Sequence, residues 1–271
     1  MLEGMTAVIY GGGAVGSAVA RAFADAGARI HLAGRSRNRL EALAHDVGAA
    51  GVAEVDALDA RAVAAHADSV AADAGSIDIA LNAVSFGFAH DTPFADLTVD
   101  DVMQPVDAYL RTNLITAKAV ARHMTACESG TILTLSAAAS RVAQSGSLGY
   151  GTACAAIEAM SQRLAVELGP SGVRVVCVRA QLIGDAPANG SYTGALFERR
   201  AAAAGISVEQ LLATVPANAT MLGRLPTLVQ VADTATFLAS DRAGAITGAV
   251  IDLTSGTAVR TSAGALVGIL D

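Results

Sequence analysis

Six residues near the amino terminus constrain this chain most: Gly11-Gly12-Gly13-Ala14-Val15-Gly16, set between the apolar run Met5–Tyr10 and the amphipathic run Ala14–Ala26. The first run reads as a strand. The second places Val15, Val19, Ala22 and Phe23 on one helical face. A strand that turns into a helix through G-x-G-x-x-G needs each glycine for a different reason. Gly11 permits the tight turn, Gly13 lets a pyrophosphate approach the backbone, and Gly16 lets helix and strand pack closely. The helix start then offers free N–H groups and a positive dipole end to phosphate. Gly11, Gly13, Val15 and Gly16 are therefore candidate contacts to a dinucleotide.

The remainder of the chain repeats the strand–helix alternation. Short runs rich in Val, Ile and Leu fall at Arg29–Ala33, Gly51–Val55, Ile77–Leu81, Thr131–Leu135, Val173–Val178 and Ala249–Leu253. Helical segments fall between them, among them about Asp100–Cys127, Gly149–Leu168 and Leu228–Ala239. Several strands are apolar at successive positions, as parallel strands covered on both faces are. The expectation is an α/β fold, a doubly wound parallel sheet of about seven strands with helices on both faces, in one domain over 1–271. Residues 184–225 break the pattern and read as a lid insertion over the ligand crevice, with a helical patch near Leu196–Ala204. Asp185 and Tyr192, within it, are candidate substrate contacts.

Composition excludes several alternatives. With 53% hydrophobic and 16% charged residues, the chain can bury a core and is no disordered segment. A net charge of −7 without a basic stripe argues against a nucleic-acid partner. The cysteines at 127, 154 and 177 form no pairing pattern, the amino terminus lacks a basic leader, and no apolar stretch is long enough for a membrane span. The expectation is a cytoplasmic protein. Its scattered histidines predict no metal site, and no G-x-S-x-G elbow is present.

After the second strand, where a carboxylate would bind the ribose hydroxyls of NAD(H), the chain reads Ala33-Gly34-Arg35-Ser36. Gly34 leaves room there, and Arg35 can pair with a 2′-phosphate. NADP(H) is favoured over NAD(H), with Arg35 and Ser36 as its contacts.

Further motifs carry a family resemblance. Asp56 follows the third strand and Asn82-Ala83 the fourth. Near the carboxyl terminus come Met221-Leu222-Gly223-Arg224-Leu225-Pro226, Val231-Ala232, Phe237-Leu238-Ala239-Ser240-Asp241 and Ile246-Thr247-Gly248. Together with a glycine loop one residue shorter than usual, these resemble the short-chain dehydrogenase/reductase family over essentially the full length. The resemblance implies a Rossmann-type fold and a nicotinamide cofactor contacted also by Asp56, Asn82, Ala83 and Ile183. It further implies a homodimer or homotetramer built through the helices near Asp100–Cys127 and Gly149–Leu168.

The family's catalytic Asn, Ser, Tyr and Lys are largely replaced. Tyr150 stands in the tyrosine place, but the lysine place is Cys154 and the serine place is Ala137. Ser136, one residue away on a strand, points to the opposite face. The asparagine place aligns with Tyr109, with Asn113 one turn later as the alternative. Lys118 is the only lysine in the chain, so a cation near Tyr150 would have to come from it, from Arg141, from Arg179 or from an oxidised nicotinamide. A neutral phenol already carries a proton to donate, so surviving redox chemistry favours reduction. The expected function is an atypical NADP(H)-dependent reductase of a carbonyl or activated enone on a small molecule, with Tyr150 as catalytic residue. A non-redox cyclase, isomerase or dehydratase and an inactive nucleotide-binding protein are the rivals.

Overall fold

The opening strand, β1 (Thr6–Tyr10), is buried along its whole length because both of its faces are covered. Ala7 and Ile9 join one apolar layer, and Val8 and Tyr10 join the other. This period of two divides the core between the faces of a sheet. The sheet adds β2 (Arg29–Gly34), β3 (Gly51–Glu54), β4 (Ile79–Asn82), β5 (Gly130–Ala137), β6 (Val173–Ala180) and β7 (Val250–Leu253). All seven strands are parallel, in the order β3-β2-β1-β4-β5-β6-β7. The computed structural model describes residues 1–259; residues 260–271, included in the single unit expected from the sequence, lie outside the described residues.

Helices α1 (Ala14–Asp25), α2 (Arg37–Val47) and α8 (Leu228–Ala239) cover one face, where Phe23, Leu40 and Leu238 pack on Ile9, Leu32 and Val178. Helices α3 (Ala60–Ala74), α4 (Val99–Ala126) and α5 (Leu148–Leu168) cover the other, through Val63, Val120 and Ala165. Each fully buried Leu, Ile or Phe contributes about 1.5–3 kcal/mol relative to exposure. Among the described residues no helix is long and apolar enough to cross a membrane.

Helix starts follow local chemistry. Thr98 and Asp101 form a reciprocal capping box on α4, and Thr227 and Gln230 form one on α8. Helices α4 and α5 lie so close that a Cβ on Gly149 would stand 2.6 Å from the Val102 carbonyl oxygen. Under α3, the Tyr10 hydroxyl lies 3.4 Å from His66 Nδ1, and burial lowers the His66 pKa to about 4, with the neighbouring His31 adding to the effect.

The order of the strands reverses between β1 and β4, which opens a crevice at their carboxyl ends. Residues past β6 roof it. The helical patch expected near Leu196–Ala204 is α6 (Gly194–Ala204), and it is followed by α7 (Val208–Ala219), which the sequence pattern had not separated from the insertion.

Candidate active site

Two adjoining cavities fill the crevice, one of about 380 Å³ beside the glycine loop and one of about 630 Å³ over β5 and β6. They share Gly13, Ala83, Val84, Ser85, Ser191 and Tyr192, so they form one continuous channel.

The loop glycines beside the smaller cavity differ in what surrounds them. Gly11 has φ +106°, and a Cβ there would sit 2.6 Å from the Ala83 carbonyl oxygen. A Cβ on Gly16 would stand 1.9 Å from the Gly11 carbonyl oxygen, so strand and helix meet only through glycine. A Cβ on Gly13 would meet nothing within 4 Å of the protein. Gly13 faces open space, so the fold itself does not require a glycine there. The first turn of α1, with Val15, carries no acidic residue, and its N–H groups have no acceptor within the helix.

At the other end of the smaller cavity stand Arg35, Ser36, Arg39 and Asp56. Ser36 is the N-cap of α2, yet its side chain makes no capping bond. Arg39, one turn after Arg35, was missed by the sequence reading; its i,i+4 spacing was the available signal. Arg35 also lies over the Phe86 ring, 6.0 Å from its centroid. Asp56 spends one carboxylate oxygen on the Leu58 N–H, 3.0 Å away. Asn82 holds its own loop: Nδ2 donates to Thr116 Oγ1 at 3.0 Å and Oδ1 accepts from the Val84 N–H at 3.1 Å. Its amide therefore shapes the wall, and Ala83 carries that wall against Gly11. Ile183 lines the larger cavity.

Three phenols meet in the larger cavity: Tyr109 from α4, Tyr150 from α5 and Tyr192 from the lid. The Tyr109 and Tyr150 ring centroids are 6.0 Å apart, and Phe88 stacks on Tyr150 at 4.6 Å and 15°. Tyr192 has side-chain hydrogen-bond interactions with both Tyr150 and Tyr109, and Tyr109 accepts from the Phe86 N–H at 3.3 Å. Burial pushes the Tyr150 phenol well above its ordinary value, and the neighbouring Tyr192, Cys154 and Tyr109 push it further. Cys154 is itself buried, which raises its thiol to about 11. It is no thiolate.

None of the side-chain cations considered from the sequence serves Tyr150. Lys118 and Arg141 are exposed. Arg179 is buried but committed: Nη2 and Nε donate to Glu158 at 2.7 and 2.8 Å, and Nη1 reaches Asp252 at 3.1 Å. Ser136 and Ser140 add bonds to the same Glu158 oxygen at 2.8 and 2.5 Å. Burial alone would raise the Glu158 carboxyl, but these hydrogen bonds hold it below the ordinary carboxylate value. Glu158 lies one turn beyond Cys154, so α5 presents tyrosine, thiol and carboxylate at successive turns. The sequence reading missed this buried pair, because nothing in either segment announces its partner. Ser136 also donates to the Cys154 carbonyl on α5 and lines the larger cavity with Ala137.

Two further groups face the larger cavity. Asn113 donates from Nδ2 to the Tyr109 carbonyl at 2.9 Å, while its Oδ1 is buried with no hydrogen-bond partner. His90 Nε2 is in the same condition. Asn113 and Tyr109 thus both stand in the wall, and the amide of Asn113 is the one left with an unmet acceptor. Asp185 departs from expectation: its Oδ1 accepts from the Leu228 N–H at 2.9 Å, so it fastens the lid's base to α8 and is no part of the wall. Apolar side chains such as Leu135, Ile157, Leu196, Phe197 and Leu211 make the rest of the lining. Arg200, on the lid, closes a bidentate pair with Asp91 at 3.0 and 2.6 Å.

Comparison with known proteins agrees with this geometry. The family model described as enoyl-(acyl carrier protein) reductase matches residues 12–258. A D-threitol dehydrogenase of Mycolicibacterium smegmatis is 29% identical over 264 residues, spanning 96% of this chain and 95% of that one. An uncharacterized oxidoreductase of Mycobacterium tuberculosis is 31% identical over 264 residues, with 94% and 92% covered. Among solved structures, a short-chain type dehydrogenase/reductase from Mycobacterium ulcerans superposes with a TM-score of 0.83 at 24% identity, covering 96% of this chain and 91% of the other. An NAD+-bound xylitol dehydrogenase gives 0.80 at 23%, covering 94% and 99%. The chain belongs to the short-chain dehydrogenase/reductase family and is an oxidoreductase of that type, working with a nicotinamide dinucleotide.

Proposed function

We propose that the protein is an NADP(H)-dependent reductase of a carbonyl or activated enone on a small organic substrate. The observation that carries this reading is the group at the end of β2: Arg35, Ser36 and Arg39 around the start of α2, with no carboxylate on the β2–α2 turn itself, the carboxylate of that cavity being Asp56 after β3. Two guanidiniums, a free hydroxyl and a helix N-terminus form a site for a phosphate dianion. The space in front of Gly13 and the first turn of α1 fit the pyrophosphate, and Asp56, Asn82-Ala83 and Ile183 border the remaining channel.

The bound reduced nicotinamide supplies a hydride. This chain's residues supply the proton and the surroundings. Tyr150, kept neutral by burial and by the absence of a cation, holds the substrate oxygen and donates its hydroxyl proton to it. It is a poor base at neutral pH, so reduction is the favoured direction. The apolar walls exclude water and suit an uncharged substrate, and Asn113 Oδ1 and His90 Nε2 offer it two unmet polar atoms. We further infer that copies of the chain associate through α4 and α5, whose outer faces expose Met103, Leu114 and Val166.

Titration with NADPH and NADH, followed by nicotinamide fluorescence and then by turnover with quinone and enone substrates, tests the reading. Arg35→Ala is expected to weaken NADPH by about 10–100-fold, the worth of one charge-assisted bond, and NADH far less. An equal loss for both would refute the 2′-phosphate assignment. Tyr150→Phe is expected to lower turnover by about 10²–10⁴-fold with cofactor affinity kept. Tight binding with no consumption of NADPH across the panel would favour the non-redox or nucleotide-binding alternatives.

A further inference from the structure

Donating a proton from Tyr150 leaves a buried phenolate that must be reprotonated before the next turnover. Among the described residues no cation reaches it, since Arg179 is held by Glu158 and Asp252, and Lys118 and Arg141 are exposed. Cys154, one turn further along α5, has hydrogen-bond interactions with Tyr150 as well as with Ala137 and Ser136, but its thiol is buried and raised to about 11, so it opens no route to solvent. Phe88 covers the ring of Tyr150 on one side. Of the described side chains in hydrogen-bond interaction with Tyr150, Tyr192 is the one that also reaches solvent.

Tyr192 is placed to connect the interior with solvent. It lines both cavities, sits in the loop between Gly190 and α6, and has hydrogen-bond interactions with Tyr150 and Tyr109. It keeps 37% of its surface in solvent, whereas Tyr109 keeps 8%. Tyr109 is tied to the Phe86 N–H and braces the group from the α4 side. Ser191 and Thr193, on either side of Tyr192, bond each other at 2.9 Å and fix the loop that presents it.

We propose that Tyr192 is a second catalytic residue, a lid-borne proton carrier that reloads Tyr150 from solvent. This rests on the reductase reading. As the substrate oxygen gains the electron pair of its former C=O π bond, it takes the Tyr150 proton, and the pair of the broken O–H bond stays on Tyr150. The Tyr150 oxygen then takes the Tyr192 hydroxyl proton, and Tyr192 recovers one from water at the lid surface. One solvent proton is consumed for each carbonyl reduced, and the nicotinamide is the only reductant. The lid thereby couples proton supply to closure: the carrier reaches Tyr150 only while the loop at 190–193 lies across the channel.

The test uses the whole protein with NADPH and the ketones phenanthrenequinone, tetralone and decalone. Tyr192→Phe keeps the ring and removes only the carrier. Its kcat is expected to fall by about 10–100-fold with KM little changed, and to rise again with the concentration of imidazolium buffer, a soluble proton donor. Wild-type kcat is expected to be insensitive to that buffer. A merely structural tyrosine would give no buffer rescue. In the protein without cofactor, the tyrosine doublet of the ultraviolet resonance Raman spectrum reports phenol hydrogen bonding. With four tyrosines and no tryptophan in the chain, Tyr192→Phe should change it by more than the loss of one ring. Unaltered kcat, a fall without buffer rescue, or a Raman change of one ring alone would each overturn the proposal. Wild-type protein that binds NADPH but reduces none of the ketones would instead overturn the reductase reading, and the carrier with it.

Discussion

The two halves of the crevice are built from different materials. The dinucleotide half, around β1, β2 and the start of α1, works through backbone: glycine turns, free N–H groups and a helix end, with two arginines at its rim. The other half, over β5 and α5, is built of side chains. Along α5 a buried thiol follows Tyr150 by one turn and a carboxylate neutralised by Arg179 follows by two, and three phenols share the cavity. Backbone sites tolerate little drift, because a Cβ at Gly16 has nowhere to go. Side-chain sites can be rebuilt within an unchanged backbone, provided that buried charge stays paired.

The comparison is broken most forcefully at the buried pair. Arg179→Met leaves the Glu158 carboxylate without its partner and is expected to cost about 3–5 kcal/mol in chemical denaturation. The double variant Glu158→Met/Arg179→Met should lose clearly less than the sum of the single changes. Additive losses would show that the two side chains do not act as a pair.

The dinucleotide half is sharpened by setting Gly13 against Gly16. Gly13→Ala adds a Cβ that meets no protein atom within 4 Å, so it should leave the melting temperature nearly unchanged while weakening binding of either nicotinamide dinucleotide in calorimetry. Gly16→Ala collides with the Gly11 carbonyl and should lower both stability and binding. Stability lost at Gly13 would remove the claim that its lack of a side chain serves a ligand.

The smallest effect concerns acid. Burial and the nearby His31 depress the His66 pKa from its ordinary 6.5 to about 4. Between those values the unfolded chain binds the extra proton and the folded one does not. Stability is therefore complete above about pH 6.5 and declines as the pH falls towards about 4, by on the order of 3 kcal/mol. His66→Gln should flatten the slope of denaturation midpoint against pH across that window. An unchanged slope would place the acid sensitivity elsewhere.

Much of this was legible before any coordinates. The glycine loop, the alternating apolar runs and the missing carboxylate after β2 are local signals, and their consequences are local too: a turn, a strand covered on both faces, a helix start. The lid's first helix was readable from Leu196–Ala204, whereas α7 was passed over, although Gly205 closes α6 in the left-handed conformation and Ser207 with Gln210 forms a reciprocal capping box at the start of α7. Asp185 read as a substrate contact, and only its distance to the Leu228 N–H revealed a fastening.

The sequence by itself determined the sheet and the place of the crevice, since those follow from periodicity and from glycines a few residues apart. Tertiary structure alone decided that Glu158 and Arg179, 21 residues apart, neutralise one another. It alone decided that Tyr109, Tyr150 and Tyr192 from three different elements share one cavity. Pairing energies and pKa shifts depend on which groups face each other and how much water lies between them, and neither is written in the order of residues along the chain.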